Sequence, residues 1–77
     1  MAYNGYKNYE TWNVALWITN DYNLYQTILE VKPKFYKRFI EYMGLKNEKT
    51  PDGVKYLSNK LSYNELNEVI REICKEV

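Results

Sequence analysis

The chain is 77 residues long with a formal net charge of +1, no histidine and a single cysteine. That length makes one domain, and a charge so close to zero sets up no global field toward DNA or an anionic membrane. Without histidine the commonest acid–base catalyst and metal ligand is missing, and Cys74 alone builds neither an internal disulfide nor a cysteine-based zinc site.

Aromatic residues make up 17% of the chain, nine of them tyrosines. Large rings give a small domain much apolar area per residue, and the same residues are enriched on recognition surfaces. Residues 1–8 read as an irregular arm that Tyr3 and Tyr6 pin to the body. No basic segment followed by an apolar run opens the chain. Its longest apolar stretch, residues 14–18, falls far short of the ~20 residues of a spanning helix, so a cytoplasmic protein is expected.

The first predicted helix covers Tyr9–Asn20, with Asn8 as N-cap and Glu10 in the first turn, where its charge suits the helix dipole. Trp12, Ala15 and Leu16 share one side and Val14 and Ile18 lie roughly opposite, a pattern expected of a central helix packed from several directions. Asp21 caps a second helix, Tyr22–Val31, with Leu24, Tyr25, Ile28 and Leu29 inward. Pro33 then interrupts and starts a third helix over residues 33–43. Phe35, Tyr36, Phe39, Ile40, Tyr42 and Met43 form its apolar side, and Gly44 closes it.

Thr50-Pro51-Asp52-Gly53 has two readings. Thr50 as N-cap with Pro51 at N1 starts a short helix, while Pro-Asp-Gly equally makes a turn within an ordered loop. The last helix opens on a capping box, Ser62-Tyr63-Asn64-Glu65, in which Ser62 accepts from an open N–H and Glu65 reaches back. Tyr63, Leu66, Val69, Ile70, Ile73, Cys74 and Val77 then share an arc of about 140°. No segment alternates with a period of two, so the expected fold is all-α, a compact bundle of four to five short helices in a single domain.

Three groups of residues are candidates for function. Glu10, Asn13, Trp17 and Asn20 form a polar strip on the first helix, followed by Asp21. Amides and an indole suit a peptide, a base or a sugar. The bland alternative is that Asn20 ends the helix, Asp21 caps the next, and Asn13 satisfies a buried backbone group. Lys32, Lys34, Lys37 and Arg38 lie near aromatic rings, an arrangement that contacts phosphates and bases or simply faces water. Glu65, Glu68, Glu72 and Glu76 form an acidic stripe that repels itself. It is either a solvated face, a loose divalent-cation (calcium) site, or a match for the basic face in this chain or in another copy. No twelve-residue calcium loop, phosphate loop, nucleophile elbow or metal-ligand spacing is present.

The run from Asn8 through Ile18 (Asn-Tyr-Glu-Thr-Trp-Asn-Val-Ala-Leu-Trp-Ile), with Asn20-Asp21, resembles the opening of a family of small uncharacterised proteins of phages, plasmids and prokaryotic genomes. Thr50-Pro51-Asp52-Gly53-Val54 and Glu65-Leu66-Asn67 resemble its second half. The resemblance covers about half the chain and implies a compact helical domain; it carries over no activity. The arrangement is also similar to saposin-like folds, although the cysteines of that family are missing.

The expectation is a non-enzymatic interaction module, without cofactor, that binds an unknown protein partner or self-associates, with Glu10, Asn13, Trp17, Asn20 and Asp21 as the contact residues. One alternative is a nucleic-acid accessory protein using Lys32, Lys34, Lys37 and Arg38. Another is a lipid-surface or loose cation binder. Membrane binding is disfavoured because the apolar helix faces are needed for the core.

Overall fold

The computed structural model describes residues 2–75. Four helices follow one another: α1 (Tyr9–Asn20), α2 (Tyr22–Val31), α3 (Tyr36–Met43) and α4 (Tyr63–Lys75). Helix α4 packs against each of the other three, and α1 also packs against α2. No strand occurs among the described residues, only isolated bridges at Tyr3–Tyr6 and Lys49–Lys55. The fold is therefore all-α, a small bundle with four helices among the described residues.

Local chemistry sets the first two helices. The Asn8 side chain accepts from the Thr11 N–H at 2.9 Å, and Asp21 accepts from the Leu24 N–H at 3.1 Å. Each satisfies an amide that has no partner inside its helix. On α1, Thr11, Val14, Ala15 and Ile18 are buried and share an arc of about 100°. Ala15 thus joins Val14 and Ile18 in the core, whereas Trp12 and Leu16 are only half-buried. Leu24 and Ile28 of α2, Tyr36, Phe39 and Ile40 of α3, and Leu66, Ile70 and Ile73 of α4 complete the interior together with Tyr56 and Leu61. Cys74 packs against the core, with its thiol 4.0 Å from the Ile28 carbonyl oxygen.

Within the N-terminal arm, residues 3–6 form an ordered turn: Tyr3 and Tyr6 exchange both backbone hydrogen bonds, at 2.6 and 2.9 Å. Asn4 and Gly5 occupy φ +49° and +89° there, the positive pair that Asn-Gly adopts most readily. Tyr3 then stacks beside Tyr9 and Trp12 at centroid distances of 5.4 and 5.1 Å.

The third helix starts at Tyr36, not Pro33. Lys32 ends α2 in the left-handed region at φ +51°, and Phe35, extended at φ −130°, has no side-chain oxygen to cap with. Asn67 of α4 takes over that role, accepting from the Tyr36 N–H at 2.7 Å. Phe35 and Tyr42 do not join the apolar face; they stand 55% and 66% exposed.

Residues 50–53 are a turn. The Gly53 N–H donates to the Thr50 carbonyl at 2.8 Å, and Thr50 and Val54 pair across it. The capping box of α4 is only half realised. Ser62 Oγ lies 3.4 Å from the Glu65 N–H, but Glu65 turns away and accepts from the Lys7 N–H at 2.7 Å. The Ser62 N–H, which Glu65 was expected to satisfy, donates to Thr11 Oγ1 at 2.9 Å. The predicted apolar position Val77 and the predicted acidic position Glu76 lie outside the described residues.

Candidate functional site

The polar strip of α1 holds a loop of the same chain. Asn13 is fully buried on the side of α1 away from the core, and its partners come from the 50–53 turn. Thr50 Oγ1 donates to Asn13 Oδ1 at 2.7 Å, and Asn13 Nδ2 donates to Asp52 Oδ2 at 2.8 Å. Trp17, one helical turn on, donates its indole N–H to the same Asp52 oxygen at 2.9 Å. Thr50 Oγ1 also accepts from the Val54 N–H at 3.2 Å. Two donors on one exposed carboxylate oxygen hold the Asp52 carboxyl below its ordinary range, Asn13 contributing more than Trp17. Hydrogen bonds to the charged form favour it.

The five strip residues differ in exposure and in partners. Asn13 is enclosed, and Trp17 is half-buried with its N–H engaged by Asp52. Asp21 serves as the joint between helices: its N–H closes α1 on the Trp17 carbonyl at 2.8 Å, and its side chain opens α2. Glu10 is half-buried and Asn20 is exposed at the end of α1.

Exposed apolar side chains lie elsewhere: Tyr22 of α2 stands alone at 74% exposure, and a group gathers around α3. Phe35 and Tyr42 project from a surface that also includes Val31, 42% exposed. Phe35 stands where three shallow grooves meet, and these grooves are flanked by Lys32, Lys34, Lys37 and Arg38. Among the described residues none of those cations forms an ion pair. Lys37 lies over the Tyr63 ring, 5.2 Å from its centroid, a favourable position for a cation on an aromatic face. The basic residues singled out in the sequence thus surround exposed aromatic rings.

The acidic stripe lies across α4 from α3. Glu65, Glu68 and Glu72 border a groove floored by Tyr6, Val69 and Ile73. Glu68 pairs with Arg71, and Glu72 pairs with Lys75 at 3.6 Å. No grouping of acidic or cysteine side chains suited to a metal ion occurs among the described residues. Among the described residues the stripe makes no ion pair with the basic face; both ion pairs found there are internal to α4.

Residues 1–76 match a family of unknown function (DUF7249). The chain belongs to this family. No curated protein and no solved structure matches it. In this DUF7249 member, the two stretches that resembled an uncharacterised family, residues 8–21 and 50–54, are physically joined: Asn13 and Trp17 of one grip Thr50 and Asp52 of the other.

Sequence reasoning missed Asp52 as the partner of that strip and missed the exposure of Phe35 and Tyr42. Asp52 sits 39 residues from Asn13, and nothing in one sequence pairs them. For Phe35 a signal existed: Pro33 disfavours helix at Lys32, and Phe35 is a poor capping residue.

Proposed function

We propose that this DUF7249 protein is a small non-enzymatic module that binds a protein partner through the surface around α3, and not through the strip of α1. The observation that carries the reading is the exposure of Phe35 and Tyr42 on a surface where Lys34 and Arg38, neither in an ion pair among the described residues, outnumber the single acid Glu41. Exposed aromatics beside arginine are typical of the energetic centre of interfaces. The charges fit a partner surface that is acidic around apolar side chains. The strip is a weaker candidate because its amides and indole are engaged by the Thr50–Asp52 turn.

The test places a photo-crosslinking residue at Tyr42 and compares captured proteins with and without Phe35→Ser/Arg38→Glu. Loss of a defined crosslinked partner in that variant, with helix content unchanged by circular dichroism, supports the reading. An identical captured set from both proteins sinks it.

Nucleic-acid binding is the second reading, favoured by the same cations lying beside aromatic faces, Lys37 over Tyr63 in particular. It predicts salt-sensitive binding of a single-stranded oligonucleotide, and no retardation at low salt removes it. Lipid binding has less support. Each of the four helices gives buried apolar residues to the common interior, and no helix among the described residues is long and apolar enough to cross a membrane. A cytoplasmic site of action accompanies the proposal.

A further inference from the structure

We infer that the surface around Phe35 and Tyr42 receives the acidic face of α4 from a second copy of this chain, in a head-to-tail contact. The inference rests on α3 being the docking surface and names its occupant. The basic surface offers projecting rings, Phe35 and Tyr42, flanked by Lys34 and Arg38, with Glu41 the one acid beside them. The opposite side of α4 offers the converse: a groove of about 560 Å³ with Tyr6, Val69 and Ile73 in its lining and Glu65, Glu68 and Glu72 beside them. Glu41 apart, each surface is the other's complement in sign, and one supplies projecting rings where the other supplies a groove.

The two cannot meet inside one molecule. Asn67 and Tyr63 mark the side of α4 that faces α3, through the bond to the Tyr36 N–H and the 6.0 Å contact of the Tyr36 and Tyr63 rings. At about 100° per residue, Glu65 and Glu72 lie about 140–160° around the helix from Asn67, and Glu68 about 100°. A rigid α4 therefore points the acids away from α3, and only another copy brings the charges together.

A net charge of +1 leaves little overall repulsion between copies, a condition that favours association. The internal pairs Glu68–Arg71 and Glu72–Lys75 are exposed, and exposed pairs contribute so little that exchanging them for intermolecular ones costs little. Because the contact joins two different surfaces, it closes into a ring or continues as a string and does not form a two-fold dimer.

The experiment is sedimentation of the full chain over a concentration series at about 20 mM and about 500 mM salt, where the screening length shrinks severalfold. The expected result is a weight-average mass that climbs past twice the monomer at low salt and returns to the monomer at high salt. Lys34→Glu/Arg38→Glu and Glu68→Gln/Glu72→Gln are each expected to remain monomeric. Their mixture stops at a dimer, because one variant supplies the only intact basic face and the other the only intact acidic face. All four side chains are exposed, so circular dichroism is expected to show both variants folded.

A chain that stays monomeric under every condition overturns the inference, and two further probes then decide the fate of the broader reading. Binding of a fluorescent peptide built of Glu and Leu, lost in Lys34→Glu/Arg38→Glu, keeps α3 as a protein-docking surface for a foreign partner. Binding of a labelled single-stranded oligonucleotide instead overturns both, as does binding of neither. Assemblies that persist in Lys34→Glu/Arg38→Glu also overturn the inference, since they use another surface.

Discussion

Replacing Thr50 by valine keeps the shape of the side chain and removes one hydroxyl. That hydroxyl donates to Asn13 Oδ1 at 2.7 Å and accepts from the Val54 N–H at 3.2 Å. Thr50 is 3% exposed and Asn13 not at all, so water does not readily take over at the amide oxygen. Leaving a buried acceptor without its donor costs about 1–3 kcal/mol. For a domain of this size each kcal/mol lowers Tm by about 4–8 °C. Urea unfolding followed by tryptophan fluorescence measures the loss, and Trp17, which shares Asp52 with Asn13, reports on the same site. Thr50→Ser, which keeps the hydroxyl, is expected to retain most of the stability. In a double-mutant cycle with Asn13→Ala the coupling is expected to reach about 1 kcal/mol, as for residues in direct contact. A Thr50→Val protein within about 0.5 kcal/mol of wild type, the range of an ordinary surface change, refutes the account of a buried clasp.

Further outcomes follow from other contacts. The Asp52 carboxyl is held below its ordinary value of 3.8, so its contribution is present above that value and fades as pH falls through the lowered one. The urea-midpoint difference between wild type and Asp52→Ala is therefore expected to be constant near neutrality and to shrink in strong acid; a difference that grows in acid contradicts this. Lys32 holds φ +51° at the end of α2, a conformation that strains any side chain bearing a Cβ. Lys32→Gly is expected to raise stability by about 1 kcal/mol, and a fall in the thermal midpoint counts against it. The Tyr36 hydroxyl donates to the Tyr56 carbonyl within the core, and burial pushes its pKa far above that of an exposed tyrosine. Tyr36→Phe is expected to cost about 1–3 kcal/mol. In an alkaline absorbance titration, Tyr36 is expected to ionise last, as the fold is lost.

What could be read from the sequence follows the reach of each interaction. The boundaries of α1 and α2 match because their caps are three residues away: Asn8 to Thr11 and Asp21 to Leu24. Gly44 likewise ends α3 through its own left-handed backbone. The start of α3 depends instead on Asn67, 31 residues distant, and the far half of the Glu65 cap on Lys7, 58 residues distant. No periodicity carries such pairings. Helical spacing groups Phe35 with the apolar side, but the residue lies outside the helix, so that spacing does not govern where its ring points. The Asn4-Gly5 turn carries a local signal, the residue pair that two-residue hairpins favour. Among the candidate sites, the positions of the basic cluster were legible because exposed cations need no partner. The enclosure of Asn13 was not, because its partners come from a loop of undecided structure.

The split cap of α4 bears on how this chain comes apart. Its first turn relies on Lys7 and Thr11, which lie more than fifty residues upstream by separations of 58 and 51. A synthetic peptide carrying only the last helix, whatever its box motif promises, would lack those donors and acceptors and start its helix poorly. Loss of the N-terminal residues would by the same token loosen the far end of the chain. So small a protein has no autonomous fragment: a protease that nicks it early should release the whole bundle rather than trim a tail.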